Sequence, residues 1–425
     1  MTIKKYKAII EFTSRDYELL ASLYFLRLAS TTQLKRLFFK KKESRYPYRR
    51  IRQLLDSGFL RIAKVAKSSA FNENLYELTN KGIESILYEI TDNPYSDELK
   101  RLYYSAAENS VNERQHIHHL LTNDIYITLF CAGLWGDMSS LDVLLTQWFE
   151  TRRALLELNG QNYKNKLKTY HLKPDAVFHH EGITYYVEVD RNTEPNTVVQ
   201  AKMERYIQLK ASGSLEGERQ VVLFFCSDRV GRSRNQTLNR ISLLRMLLIK
   251  SSESYLGPNF QVAIGPYDSL LDGLISKKTL GDPCRGLADT MEKKLRMEGY
   301  RVVIRDDYVP LKDYPYRSLL WLAFNDTDGE NAKDRLRIRG IESFMEYDMK
   351  TWKRISEFPL FYERAMIDKA PFRPVLWLLV SSQDDIRNLI KQLPDLTKCT
   401  EFIVNNTFYK SDGAELWEVP YDVEV

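Results

Sequence analysis

Between Lys173 and Tyr206 the spacing of apolar positions changes from strand to helix. Ala176-Val177-Phe178 is a short apolar run, Glu181-Gly182 a turn signal, and Thr184 to Val189 a second run rich in β-branched and aromatic residues; together they predict a β-hairpin. From Val198 the apolar residues move to helical spacing (Val199, Met203, Tyr206, Ile207), which predicts a helix ending near Leu209. The nearly continuous apolar stretch Gln220 to Cys226 suits a central strand buried on both faces. Leu238 to Lys250 then reads as an amphipathic helix, Phe260 to Ile264 as a strand and Tyr267 to Leu274 as a short helix. That order predicts an α/β domain with a mixed sheet.

The N-terminal pattern is different. Ser14 is placed to cap a helix from Arg15 to Leu28, and Thr31 or Thr32 a second from Gln33 to Phe39. A third begins at Tyr46-Pro47, where proline is tolerated, and stops at Asp56-Ser57-Gly58. Its apolar face is Tyr48, Ile51, Leu54 and Leu55; Arg45, Arg49 and Arg52, joined by Arg50, form the other. Leu60 to Val65 and Asn74 to Leu78 complete a helix–helix–helix–wing order, a winged helix. Asp97 to Gly133 reads as helical. The expected division is 1–95 winged helix, 96–140 helical linker, 141–280 the α/β domain and 281–425 a C-terminal α/β domain, with Gly281-Asp282-Pro283 at the last boundary.

Composition narrows the class. The 425 residues hold no apolar run long enough to span a bilayer, and the first ten lack the apolar core of a signal peptide. Four scattered cysteines exclude a cysteine-rich zinc site and point to a reducing, cytoplasmic setting. The histidines at 116, 118 and 119 lie among Leu120, Leu121, Ile125 and Ile127, a packing pattern rather than a zinc site. Charge is uneven: residues 1–90 carry 18 Lys+Arg against 9 Asp+Glu, while the remainder is acidic. Lys40, Lys41, Lys42, Arg45, Tyr48, Arg49, Arg50 and Arg52, with Lys64 and Lys67 near the wing, are therefore the expected double-stranded DNA contacts. Arginine can pair with guanine edges, and lysine neutralises phosphates.

Three carboxylates carry the candidate chemistry. Asp175 opens the first hairpin strand, and Glu188 and Asp190, two apart on the second, project from one face. Antiparallel pairing brings Asp175 to Glu188, an oxygen-rich pair suited to Mg²⁺ or Mn²⁺. Pro174-Asp175, a hairpin and then Glu188-Val189-Asp190 resembles the PD-(D/E)XK nuclease superfamily, and Glu188 to Glu194 is similar more narrowly to the replication-relaxation family of plasmids and mobile elements. The resemblance covers about residues 10 to 275 and implies a winged helix joined to a nuclease-like domain. It implies Asp175, Glu188 and Asp190 as metal ligands, with Lys202 replacing the usual lysine, which Asp190 displaces. Lys202 and Tyr206 have the spacing of the Gln-x-x-x-Tyr helix motif of RecB-like nucleases, and Glu150 holds an acidic position preceding the Pro-Asp strand.

Two functions follow: a metal-dependent nuclease that nicks DNA, as a relaxase or replication initiator does, and a non-catalytic regulator or replication and segregation factor retaining the fold. A homodimer is compatible with either. Phe344-Met345-Glu346-Tyr347-Asp348 echoes Tyr186 to Asp190, and Val375 to Val380 echoes Val221 to Cys226. The C-terminal domain is thus expected to be a degenerate second copy, with Glu346 at the place of Glu188.

Overall fold

A computed structural model describes residues 11–39, 45–63, 73–91, 104–149, 172–191, 194–211, 219–227, 234–251, 260–275, 291–297, 300–305, 320–326, 337–343, 349–367, 374–380, 383–404, 407–411 and 416–419. The protein is mixed α/β, in two compact units: residues 1–244 with 253–275, and residues 245–252 with 276–425.

The first unit opens with α1 (Ser14–Leu26). Its cap is Thr13, whose backbone N–H and hydroxyl both donate to Asp16 (2.8 and 2.6 Å), rather than Ser14. Arg27, at φ 62°, ends the helix before Leu28. Strand β1 (Ala29–Ser30) leads into α2 (Thr31–Phe38). Here Ser30, not Thr31 or Thr32, is the cap: its hydroxyl accepts from the Gln33 backbone N–H while the Gln33 side chain accepts from its own N–H. α3 (Tyr46–Asp56) starts and stops where its proline and Gly58 suggest. Strands β2 (Leu60–Ile62) and β3 (Leu75–Leu78) pair antiparallel, and β1 pairs with β3, giving the order β1-β3-β2. α4 (Asn80–Thr91) follows. It crosses so close to the chain before β2 that a Cβ on Gly82 would lie 2.3 Å from the Phe59 carbonyl oxygen.

After α5 (Ala106–Asn109), α6 (His116–Cys131) and α7 (Ser140–Thr146) comes a five-stranded sheet, β4-β5-β6-β7-β8. Its strands are β4 (Trp148–Phe149), β5 (Ala176–His180), β6 (Ile183–Asp190), β7 (Arg219–Cys226) and β8 (Phe260–Pro266). The first two pairings are antiparallel and the last two parallel. Glu181 and Gly182, both at positive φ, make the two-residue turn between β5 and β6. The parallel connections are α8 (Asn196–Ala211) and α9 (Arg234–Ser251), and α10 (Tyr267–Ile275) closes the unit. β7 is buried along almost all its length, as its unbroken apolar sequence requires. Trp148 stacks on Phe178 and Phe178 on Tyr185 (ring centroids 5.5 and 4.4 Å), and Tyr126 of α6 packs on Trp148 at 5.7 Å.

α6 falls in the segment read as a linker, yet it is built into the unit's core. The Gln33 side chain donates to the Leu120 carbonyl, Arg36 pairs with Asp124, and Asn123 donates to the carbonyls of Leu26 and Leu28 where α1 ends. From the other direction the Tyr267 hydroxyl donates to the Leu121 carbonyl at 2.5 Å.

In the second unit seven strands form one mixed sheet, in the order β15-β14-β13-β12-β11-β10-β9. They are β9 (Tyr300–Arg305), β10 (Leu320–Asp326), β11 (Arg337–Ser343), β12 (Pro374–Leu379), β13 (Thr400–Val404), β14 (Thr407–Ser411) and β15 (Leu416–Val419). α11 (Met349–Ile367) joins β11 to β12, and α12 (Gln383–Gln392) lies between β12 and β13. Among the described residues no helix is long and apolar enough to cross a membrane.

Candidate functional site

The hairpin brings its two carboxylates together because the antiparallel register pairs Ala176 with Val187, so Asp175 meets the strand beside Glu188. The Asp175 backbone N–H donates to the Val187 carbonyl at 2.9 Å, and one carboxylate oxygen accepts from the Val189 backbone N–H at 2.7 Å. Its other oxygen lies 2.8 Å from Nε2 of His118, on α6. Glu188, mid-sheet and nearly sealed, has a donor on each oxygen. Lys202 Nζ lies 2.8 Å from Oε2, and the Tyr206 hydroxyl donates to Oε1 at 2.6 Å. The four-residue spacing of Lys202 and Tyr206 sets both side chains on one face of α8. Lys202 also lies 3.7 Å from Glu194.

The site is part-exposed at Asp175 and Lys202 and sealed at Glu188. The Asp175 side chain is 22% exposed and that of Lys202 21%, while that of Glu188 is 2% exposed. Burial pushes the Glu188 carboxyl up to about 7, helped by the charge of Asp175 and opposed by Lys202 and the Tyr206 hydroxyl. Burial also works against charge on Asp175, but His118, Lys202 and the Val189 N–H outweigh it and hold the group below the usual carboxylate range. Burial disfavours charge on Lys202 and His118 as well; the carboxylates win, and both are raised. Tyr206 is raised well above its ordinary range by burial and by Glu188.

Asp190 shares the face of Glu188 but turns elsewhere. Arg240 of α9 donates from Nε to its carboxylate at 2.8 Å, and its other nitrogens bond the Asn196 side chain and the Glu194 carbonyl. Asp190 thus ties the loop ahead of α8 to α9, and both its side chain and that of Arg240 are nearly sealed. Glu150 lies outside the described residues. Among the described residues no group of three His, Cys, Asp or Glu side chains is arranged to hold a metal ion. Asp175 and Glu188 suit one as a pair: both are hard oxygen donors, and Asp175 is open to solvent.

On α3 the buried residues are Pro47, Ile51 and Leu54. Tyr48, expected on the inner face, is instead 52% exposed, with Lys35 Nζ 4.8 Å from its ring centroid. Arg45, Arg49 and Arg52 are exposed, and Arg52 pairs with Asp56 one turn on. Arg50 is a correction to the sequence reading. It grips the buried Asp16 with two nitrogens (2.9 and 2.6 Å) and donates to the Glu11 carbonyl, so it holds α3 to α1 instead of facing outward. Lys40, Lys41, Lys42, Lys64 and Lys67 lie outside the described residues.

Two residues of the neighbourhood were not expected beside these carboxylates: His118, read only as part of a packing helix, and Arg240. Neither has a local signal. His118 sits on a helix whose neighbours are mostly apolar, 57 positions before Asp175, and Arg240 is one basic residue on an amphipathic helix.

This is a mixed α/β protein whose central hairpin presents a buried carboxylate pair to a lysine and a tyrosine of the following helix. Residues 20–222, from α1 into β7, match the family model described as Replication-relaxation. The match spans the N-terminal helices, α6 and every residue of the pocket. No curated protein matches the chain.

Proposed function

We propose that this is a site-specific DNA-binding protein of a plasmid or other mobile element, acting in its replication or relaxation, and that the pocket of Asp175, Glu188 and Lys202 nicks the bound DNA. The family match supports the mobile-element setting. The order of three helices and an antiparallel hairpin supports a winged helix for the N-terminal part, docking on double-stranded DNA through the exposed Arg45, Arg49 and Arg52. The order α6, three antiparallel strands, α8, parallel β7 supports a PD-(D/E)XK-type domain. One observation carries the nuclease reading: the β5–β6 register sets two carboxylates, Asp175 and Glu188, side by side, with Asp175 part-exposed.

In this reading Asp175 and Glu188 hold Mg²⁺ or Mn²⁺. A bound ion would supply water activation and charge neutralisation at a scissile phosphate. Lys202 supplies a fixed positive charge for the phosphate oxygens, since its ammonium keeps its proton at neutral pH. Tyr206 and the Val189 N–H orient the two carboxylates, and His118 steadies Asp175 from α6.

A second reading, a non-catalytic DNA-binding regulator, is favoured by one feature: both oxygens of Glu188 already have protein donors. Supercoiled plasmid carrying the native element, incubated with the protein and Mg²⁺, Mn²⁺ or EDTA, separates the two. Nicking that needs the metal and is lost in Asp175→Asn and in Glu188→Gln, with duplex binding retained, supports the nuclease. No nicking and no calorimetric divalent-ion binding by a protein that still binds duplex selects the regulator.

A further inference from the structure

The sheet of the second unit repeats that of the first. β4-β5-β6-β7-β8 is joined antiparallel, antiparallel, parallel, parallel, and β9-β10-β11-β12-β13 is joined in the same order and sense. The connections also repeat, with α8 and α9 in the first and α11 and α12 in the second. A helix directly precedes each sheet: α7 in the first, residues 291–297 in the second. Any α/β domain reuses strand–helix–strand, so order alone is weak; register is stronger. Each residue of β6 faces the one 36 later in β7 (Ile183 with Arg219), and each residue of β11 faces the one 36 later in β12 (Ile338 with Pro374).

Aligning Val221–Cys226 with Val375–Val380 then identifies the counterparts. Glu188 pairs with Phe224, the fourth residue of its run, and Glu342 pairs with Leu378, the fourth of the other. Glu342, not Glu346, is therefore the counterpart of Glu188; residues 344–348 lie outside the described residues. The residue before the glutamate pairs with Ala176 in the first sheet and Leu320 in the second. In sequence those strands are preceded by Asp175 and by Leu319. On the helices, buried Met203, Tyr206 and Leu209 match buried Ile355, Phe358 and Phe361 in spacing. Phe358 thus stands where Tyr206 stands, without its hydroxyl.

We propose that the C-terminal unit is a second copy of the pocket-bearing fold, disabled by leucine in place of the aspartate and phenylalanine in place of the tyrosine. The chain then carries one working pocket, and each binding event breaks one DNA strand. The strand-breaking consequence rests on the nuclease reading above; the duplication does not.

Two measurements test them separately. In a crystal structure of the full chain, superposing β5 to β8 on β10 to β13 should bring the Cα of Glu342 within about 2 Å of that of Glu188, against a rise of about 3.3 Å for a one-residue slip. Another residue at that place overturns the duplication whether or not the protein cuts. On supercoiled plasmid with Mn²⁺, the full-length protein should yield open circles without early linear product. Glu342→Ala should leave the rate within about twofold, far under the tenfold that about 1.4 kcal/mol of barrier represents, while Glu188→Gln removes it. Linear product formed alongside the circles and lost in Glu342→Ala overturns the single-pocket proposal. Absence of any cleavage refutes one-strand breakage together with the nuclease reading, leaving the duplication to the superposition.

Discussion

Glu188 shows how one residue's surroundings set its chemistry. A carboxyl sealed in a sheet and pushed to about 7 is still partly protonated at neutral pH, so a cation reaching it must displace a proton. Divalent-ion affinity should therefore rise by up to about tenfold per pH unit below 7 and level off above it. Calorimetric titrations from about pH 5.5 to 8.5 measure this, and flat affinity across the range would rule out Glu188 as a ligand. Stability moves the other way for this group. Its folded pKa lies above the unfolded value, so the stability it contributes is full below the ordinary carboxylate pKa and is lost as pH rises through about 7. The carboxylate pair was legible in sequence because the hairpin period places it, and Lys202 because the family resemblance pointed to the following helix. The protonation state was not, since it depends on burial and on neighbours from other elements.

At the scale of an element, α3 separates arginines that the sequence presents as equals. Arg49 and Arg52 are exposed, and the Arg52–Asp56 pair, both partners open to water, is a weak tether. Arg50 lies against α1 on a carboxylate that Thr13 also holds. Arg49→Ala with Arg52→Ala should flatten the log–log salt dependence of duplex binding by about 2 and remove sequence preference, with little change in melting temperature. Arg50→Ala should instead cost about 2–3 kcal/mol of stability, because it strands the buried Asp16 charge. Anisotropy titrations at several salt concentrations, paired with thermal melts, test both halves; an Arg50 variant that melts normally but fails to bind DNA would reject the assignment. Helix ends and strands were well signalled by proline, glycine and apolar period. Caps were missed by one residue at α1 and by one or two at α2, since neighbouring Ser and Thr residues compete for the same role and only backbone geometry selects Thr13 and Ser30.

For the molecule as a whole, α6 is the element on which the first unit depends. It donates to carbonyls at the end of α1, packs Tyr126 on the sheet's aromatic stack and delivers His118 to Asp175. Native-state hydrogen exchange should therefore find α6 amides among the slowest of this unit, opening together with β6 and β7. Fast exchange of α6, like that of a frayed terminus, would show that it is a tether and not core.

The sequence by itself determined the α/β class, the hairpin that pairs Asp175 with Glu188, the helix that carries Lys202 and Tyr206, and the basic N-terminal end. These are matters of period, turn chemistry and charge, which a few adjacent residues encode. Only the tertiary structure decided that Asp190 goes to Arg240, that Arg50 goes to Asp16 and that His118 meets Asp175, because each joins residues at least 34 positions apart. It also moved the counterpart of Glu188 in the second sheet from Glu346 to Glu342. A motif match counts residues along the chain, whereas register is set by backbone hydrogen bonds across the sheet.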